Sequence, residues 1–282
     1  MNPASSLTTS GYSFGALALS VLLSLSTSTA ARADTVIVDE PFTSSDLTDN
    51  IGDPLDAAWT SLSNTALSVG AFNSTGNISN ALRIDTTAGF SGTRGQFTNG
   101  ASLAIGESIT VSFDFRIINT AGNDSAGLRF GLSSSSNTYA FTFGTGTTTG
   151  GGMAQFGANS VGGTNNIYTA SGTPFAINDT ASHTFSFKIT RTSSISLSFL
   201  GSVDGNTISA STTAANSPSV PTTVSNFNFT SIVLGQGGTS NDFNIDNVNV
   251  TLEAIPEPST YAALAGLSAL GLVAFQRRRG AR

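Results

Sequence analysis

Between Ser108 and Ile118 the chain reads SITVSFDFRII, so Ile109, Val111, Phe113, Phe115 and Ile117 alternate with Thr110, Ser112, Asp114 and Arg116. Successive side chains of a strand point to opposite faces, and this period of two therefore predicts a strand with one buried and one wetted face. The pattern recurs at Leu128, Phe130 and Leu132, and at Tyr139, Phe141 and Phe143. It recurs again at Phe185, Phe187 and Ile189, set against Thr184, Ser186 and Lys188. After the link Arg191-Thr192-Ser193-Ser194, Ile195, Leu197 and Phe199 continue it, which predicts a hairpin. Asp204-Gly205 predicts a further tight turn. Strands with one apolar face need a second sheet to cover that face. The expected fold is all-β, a two-sheet antiparallel sandwich of the jelly-roll type, occupying residues 34–254. Polar loops are expected at 144–152, 157–166 and 211–223, and no repeat period points to a solenoid or propeller.

The last strand breaks phase. Phe243 and Ile245 hold one parity, while Val248, Val250 and Leu252 hold the other. A β-bulge at Asp246-Asn247 would return both sets to the core and re-aim Asp246. Here Ile-Asp-Asn-Val at 245–248, taken with Val-Asp-Glu-Pro-Phe at 38–42, resembles jelly-roll carbohydrate-binding modules and laminin-G or concanavalin-like domains. In several such modules the first and last strands are neighbours and their carboxylates hold a structural calcium. The resemblance places Glu40 and Asp246 in the metal-binding role, with Asp39 and backbone carbonyls completing a shell of six to eight oxygens.

Both ends of the chain read as addresses. Phe14–Leu25 (FGALALSVLLSL) is apolar and too short to span a bilayer. Ala31-Arg32-Ala33 follows with the small-x-small pattern of signal peptidase, which predicts a signal peptide over 1–33 and a mature chain from Asp34. The other end, 255–282, carries Pro256-Glu257-Pro258, then an uncharged run to Gln276, then Arg277, Arg278 and Arg279. The run predicts a transmembrane helix entered through prolines that stop the preceding strand, with the arginines kept cytoplasmic. This tail resembles the PEP-CTERM sorting signal. The resemblance implies export, delivery to the cell envelope, surface or extracellular matrix, and processing near the motif by exosortase, a membrane transpeptidase-like enzyme.

Charge and composition exclude several functions. Setting aside Arg32 and the arginines at 277–279 and 282 leaves six basic residues in the body; setting aside Glu257 leaves sixteen acidic ones, a net charge of −10. Such a body repels phosphate backbones, so nucleic acid is not an expected partner. Without cysteine there is no disulfide, thiol nucleophile or thiolate metal site. Glu40, Glu107 and Glu253 are isolated, and no Glu-x-Asp-x-Glu string supplies the paired carboxylates of a glycoside hydrolase. His183, the one histidine, has no partner set for zinc or for a serine triad, and an edge position is the expected one. Asp49, Asp53 and Asp56 read as turn residues before calcium ligands. Trp59 and Tyr168 are the aromatic candidates for stacking on a sugar, although Trp59, among Leu55, Ala57, Ala58 and Leu62, also reads as a core plug. The expectation is a non-catalytic exported protein associated with extracellular polysaccharide. The alternatives are a carbohydrate-binding module and a concanavalin-like hydrolase or lyase.

Overall fold

A computed structural model describes residues 33–42, 47, 54–63, 65–70, 80–86, 91–118, 128–134, 138–143, 154–158, 166–170, 177, 179–211, 227–236, 242–254, 266–271 and 273. The chain divides into a unit formed by Ala33–Ala254 and another formed by Met1–Arg32 with Ile255–Arg282. In the second unit, 266–271 and 273 are helical, and among the described residues no helix is long and apolar enough to cross a membrane. The rest of the expected transmembrane run, the sorting motif, the arginine cluster and Ala31 lie outside the described residues.

The first unit is two antiparallel sheets, with strands numbered β1 to β15 in chain order. Sheet A runs β13 (Asn206–Ser211), β12 (Leu197–Val203), β11 (His183–Arg191), β6 (Ser108–Ile117), β15 (Phe243–Glu253), β4 (Ala81–Thr86) and β3 (Thr65–Gly70); β1 (Thr35–Glu40) also pairs with β15. Sheet B runs β10 (Asn166–Ala170), β9 (Ala154–Ala158), β8 (Thr138–Phe143), β7 (Leu128–Ser134), β14 (Asn228–Gln236), β5 (Ser91–Ser102) and β2 (Ala57–Ser63). The apolar parity of β6 faces inward as expected: Ile109, Val111, Phe113, Phe115 and Ile117 are all buried.

Phenylalanines join the two layers. Phe130 of sheet B lies 5.0 Å from Phe113 and 5.1 Å from Phe185 of sheet A, edge to face in both cases. Phe243 approaches it at 5.6 Å. Edge-to-face packing sets the positive rim of one ring against the negative face of another, which adds to the burial of their area. Gly201 of β12 carries the opposite ring of sheet B: a Cβ there would stand 2.7 Å from Cγ of Phe141.

Two sequence expectations need correction, and one strand was not foreseen. Ile195 does not share the inward phase of Leu197; it is 48% exposed, because Thr192 and Ser193 both donate to the Ser196 carbonyl and close the turn around it. Strand β9 extends through Ala158 and β10 begins at Asn166, inside the span expected to be loop. The long strand β5, SGTRGQFTNGAS, lies between β14 and β2 although its sequence shows little apolar alternation.

Candidate functional site

The bulge in β15 organises one candidate region. Register slips between Asp246 and Asn249, and Asn247 takes a left-handed φ of 52°, a conformation that asparagine tolerates. Before the bulge β15 pairs with β4, through Ile245 opposite Leu82; after it the neighbour is β1, with Glu40 opposite Val248. First and last strands are thus neighbours. Glu40 and Asp246 stand near that changeover, 8% and 6% exposed.

Each carboxylate already serves the backbone beside it. Glu40 Oε1 accepts the Phe42 N–H at 3.0 Å, fixing the left-handed Phe42 (φ 48°), whose ring lies 5.8 Å from that of Trp59. Asp246 Oδ1 accepts the Asn247 N–H at 2.8 Å. Burial raises the Asp246 pKa, the Asn247 bond opposes that shift, and the nearby Asp114 charge reinforces it. Among the described residues no group of three or more His, Asp or Glu surrounds a metal position. A calcium shell of six to eight oxygens would need Asp39 and backbone carbonyls beside these two carboxylates. Asp49 and Asp53 lie outside the described residues.

His183 begins β11 with its ring 5.5 Å from that of Phe115. Its Nδ1 is 2.7 Å from Asp204 Oδ2 and its Nε2 is 2.9 Å from Asp179 Oδ1. Asp204, in the expected turn (φ 50°, followed by Gly205 at φ 78°), also accepts the Thr184 N–H. Asp179 has its pKa lowered, first by the Ala181 N–H and, against some burial, by His183. Nearby on the outer face of sheet A, Lys188 bonds Glu253, whose other oxygen accepts from Thr110 at 2.6 Å. Burial pushes the Glu253 pKa up, but these two partners outweigh it and leave it lowered.

The two aromatic candidates fare differently. Trp59 is 4% exposed, with its ring lying across Gly95, where a Cβ would stand 2.9 Å from the ring. It presents no face to a sugar, which corrects its assignment as a stacking platform. Tyr168 lies on β10 opposite Phe156, and its side chain is outside what the structure describes.

Sequence reasoning missed the outer face of sheet B. Register sets Thr60, Arg94, Val233, Gly131 and Ala140 in one row across β2, β5, β14, β7 and β8. A second row holds Gly92, Gly235, Arg129 and Thr142, and a third holds Gln96, Ser231, Ser133 and Thr138. These positions alternate with Trp59, Phe130, Leu132, Phe141, Ile232 and Leu234, which face the core. Val233, although turned away from that core, is 1% exposed; Ser231, Ser133 and Ala140 are also buried. The face is a low floor of small residues and hydroxyls with longer polar side chains around it. A usable signal existed in the acid-free stretches at 86–106, 125–178 and 205–241, which supply most of these strands.

Fold and tail together define an exported-type β-sandwich protein bearing a C-terminal address. The family description "PEP-CTERM protein-sorting motif" matches residues 254–279, so the chain carries that motif. The motif implies export to the cell envelope or surface and processing by exosortase. Among curated proteins, no sequence matches this chain. Among solved structures, an endo-1,3-beta-glucanase from Streptomyces sioyaensis is similar at 13% identity and a TM-score of 0.47, over 82% of this chain and 100% of that one. Peanut lectin is similar at 12% identity and a TM-score of 0.45, covering 80% and 100%. The globular domain of T. cruzi calreticulin is similar at 12% identity and a TM-score of 0.44, covering 86% and 99%.

Proposed function

We propose that this is a non-catalytic envelope or extracellular-matrix protein whose sandwich associates with extracellular polysaccharide. The observation that carries the reading is the outer face of sheet B. At its rim the amide of Gln96 and the hydroxyls of Thr60 and Thr138 reach solvent, while Ser133, Ser231 and Thr142 are buried, and its described strands contain no Asp or Glu. Neutral donors and acceptors over a low floor suit the hydroxyl-rich edge of a sugar polymer. Glycosidic cleavage needs two carboxylates across the bond, and these strands supply neither. The sorting motif, which implies export to the cell envelope or surface, supports this reading.

The test uses the purified full-length protein on a glycan array, followed by incubation with laminarin and alginate. Binding to at least one polysaccharide without release of new chain ends is the expected result. New reducing ends or unsaturated sugars would overturn the non-catalytic reading in favour of a hydrolase or lyase. A silent array would overturn the association itself.

A further inference from the structure

Two isoleucines stand on the end of the sandwich from which the chain leaves for its tail. In register, Glu253 at the close of β15 lies opposite Ser108 of β6, and Ser108 lies opposite Thr190 of β11. Ala254, the turn before β6 and the turn after β11 therefore share one end, and Asp34 joins them by accepting the Ala254 N–H. Ile105 and Ile195 occupy those two turns, 53% and 48% exposed, more than any other large apolar side chain described in the sandwich.

Both are held out by closed backbone. The Glu107 N–H donates to the Ala104 carbonyl at 3.1 Å, the Ala104 N–H donates to Glu107 Oε2 at 2.8 Å, and Gly106 takes a φ of 88°, which leaves Ile105 at the tip. The Ile195 N–H donates to Ser193 Oγ at 3.2 Å, inside the turn closed on the Ser196 carbonyl. Two further bonds lash the turns together: the Gly106 N–H to the Arg191 carbonyl at 2.6 Å, and the Arg191 N–H to the Glu107 carbonyl at 3.0 Å. Turn tips favour Gly, Asn, Asp, Ser and Pro, and an isoleucine standing there in water contributes no burial to the fold. The exposed neighbours Ser102, Ala104, Thr192 and Ser194 are uncharged. Arg191 lies over the Phe227 ring at 3.7 Å and donates to the Leu103 carbonyl, so this end offers an apolar contact rather than an ionic one.

The covalent chain sets what lies opposite. Pro258, where the uncharged run begins, is four residues beyond Ala254, at most about 14 Å of extended chain. The headgroup layer of a bilayer is roughly 5–8 Å deep on each side. With the run inserted, the end that carries Ala254 is kept within reach of the headgroups. A tether makes the contact intramolecular, so two side chains too few to hold a free sandwich on lipid can hold this one.

We infer that, before the tail is cut, this end of the sandwich rests on the bilayer with Ile105 and Ile195 in the boundary between headgroups and acyl chains. The inference goes beyond the polysaccharide reading and rests on insertion of residues 258–276. Loss of the tether on cleavage ends the contact and frees the sandwich.

Because the chain has no cysteine, a single thiol can be placed and labelled. Ser194→Cys reports beside both isoleucines, and Asn206→Cys reports from the opposite end, past the β12–β13 turn. Each carries a polarity-sensitive fluorophore in protein that retains its tail, reconstituted in phosphatidylcholine vesicles with and without headgroup nitroxides. The expected result is emission at 194 that is shifted to the blue of that at 206, quenched by the nitroxides and unchanged by high salt. Adding Ile105→Ser and Ile195→Ser should bring both readings at 194 to the level at 206. Both side chains stand in solvent, so melting curves should match the parent; if the double change unfolds, Ile105→Ser alone carries the comparison. Emission at 194 no bluer than at 206 overturns the contact. A blue shift without quenching marks a second copy of the chain as the occupant and overturns lipid. Quenching that persists in the folded double variant reflects nearness alone and overturns the role of the isoleucines. Protein that fails to float with the vesicles overturns insertion of the tail and this inference with it, and leaves the polysaccharide reading standing.

Discussion

Glu40 and Asp246 do the same local work: each carboxylate holds a backbone N–H close to a residue in the left-handed region, Phe42 and Asn247. Asp246 is moreover buried beside Asp114, and its pKa is raised. A carboxyl raised in the folded state contributes stability that is fully present below its unfolded value, near 3.8, and lost as pH rises through the folded value. At neutral pH the charged form therefore costs stability. Asp246→Asn keeps an oxygen for the Asn247 N–H and removes that charge, so in chelator its melting temperature at pH 7 is expected above that of the native protein. The gap should close as the pH falls below about 4. A calcium ion held by Glu40 and Asp246 predicts the reverse: added calcium raises the native melting temperature, and Asp246→Asn abolishes the rise. Thermal unfolding across pH, with calcium and with chelator, separates the two by sign.

At the scale of elements, the sandwich depends on how closely its layers approach. Gly201 of β12 meets Phe141 of β8 where any side chain would intrude on a ring with no exposure. Gly201→Ala should cost about 1–3 kcal/mol in denaturant unfolding, because the ring has no room to retreat. Adding Phe141→Leu should recover part of that loss, and an unaltered midpoint in the single variant would contradict the close contact. The phase break at Asp246-Asn247 was legible because its cause is local: a period of two cannot change parity within one strand unless a residue is inserted. Strand β5 was not legible, since its inward positions are Thr93, Gly95 and Phe97, and Gly95 is small because the Trp59 ring lies across it. That reason belongs to a residue 36 positions away. Arg94 and Arg129 escaped notice likewise, because β14, more than 90 positions beyond either, brings them onto one face.

For the whole molecule, leader and tail predict two cuts. Intact mass of the protein from its native host is expected to correspond to a chain beginning at Asp34 and ending between Pro256 and Thr260; a mature species that retains Arg277–Arg282 would contradict removal of the tail. The sandwich is suited to receiving both cuts at one place. Thr35 pairs with Leu252, and the Ala254 N–H donates to Asp34 Oδ1 at 3.0 Å, so the body's first and last residues leave side by side. This arrangement has a mechanical consequence. A load reaching Ala254 enters β15, whose closing residues are bonded to β1 on one flank and to β6 on the other. Drawing β15 out along its axis must shear both ladders at once, whereas an edge strand could be peeled one bond at a time. A sandwich tethered by this end takes any load through the middle of a sheet.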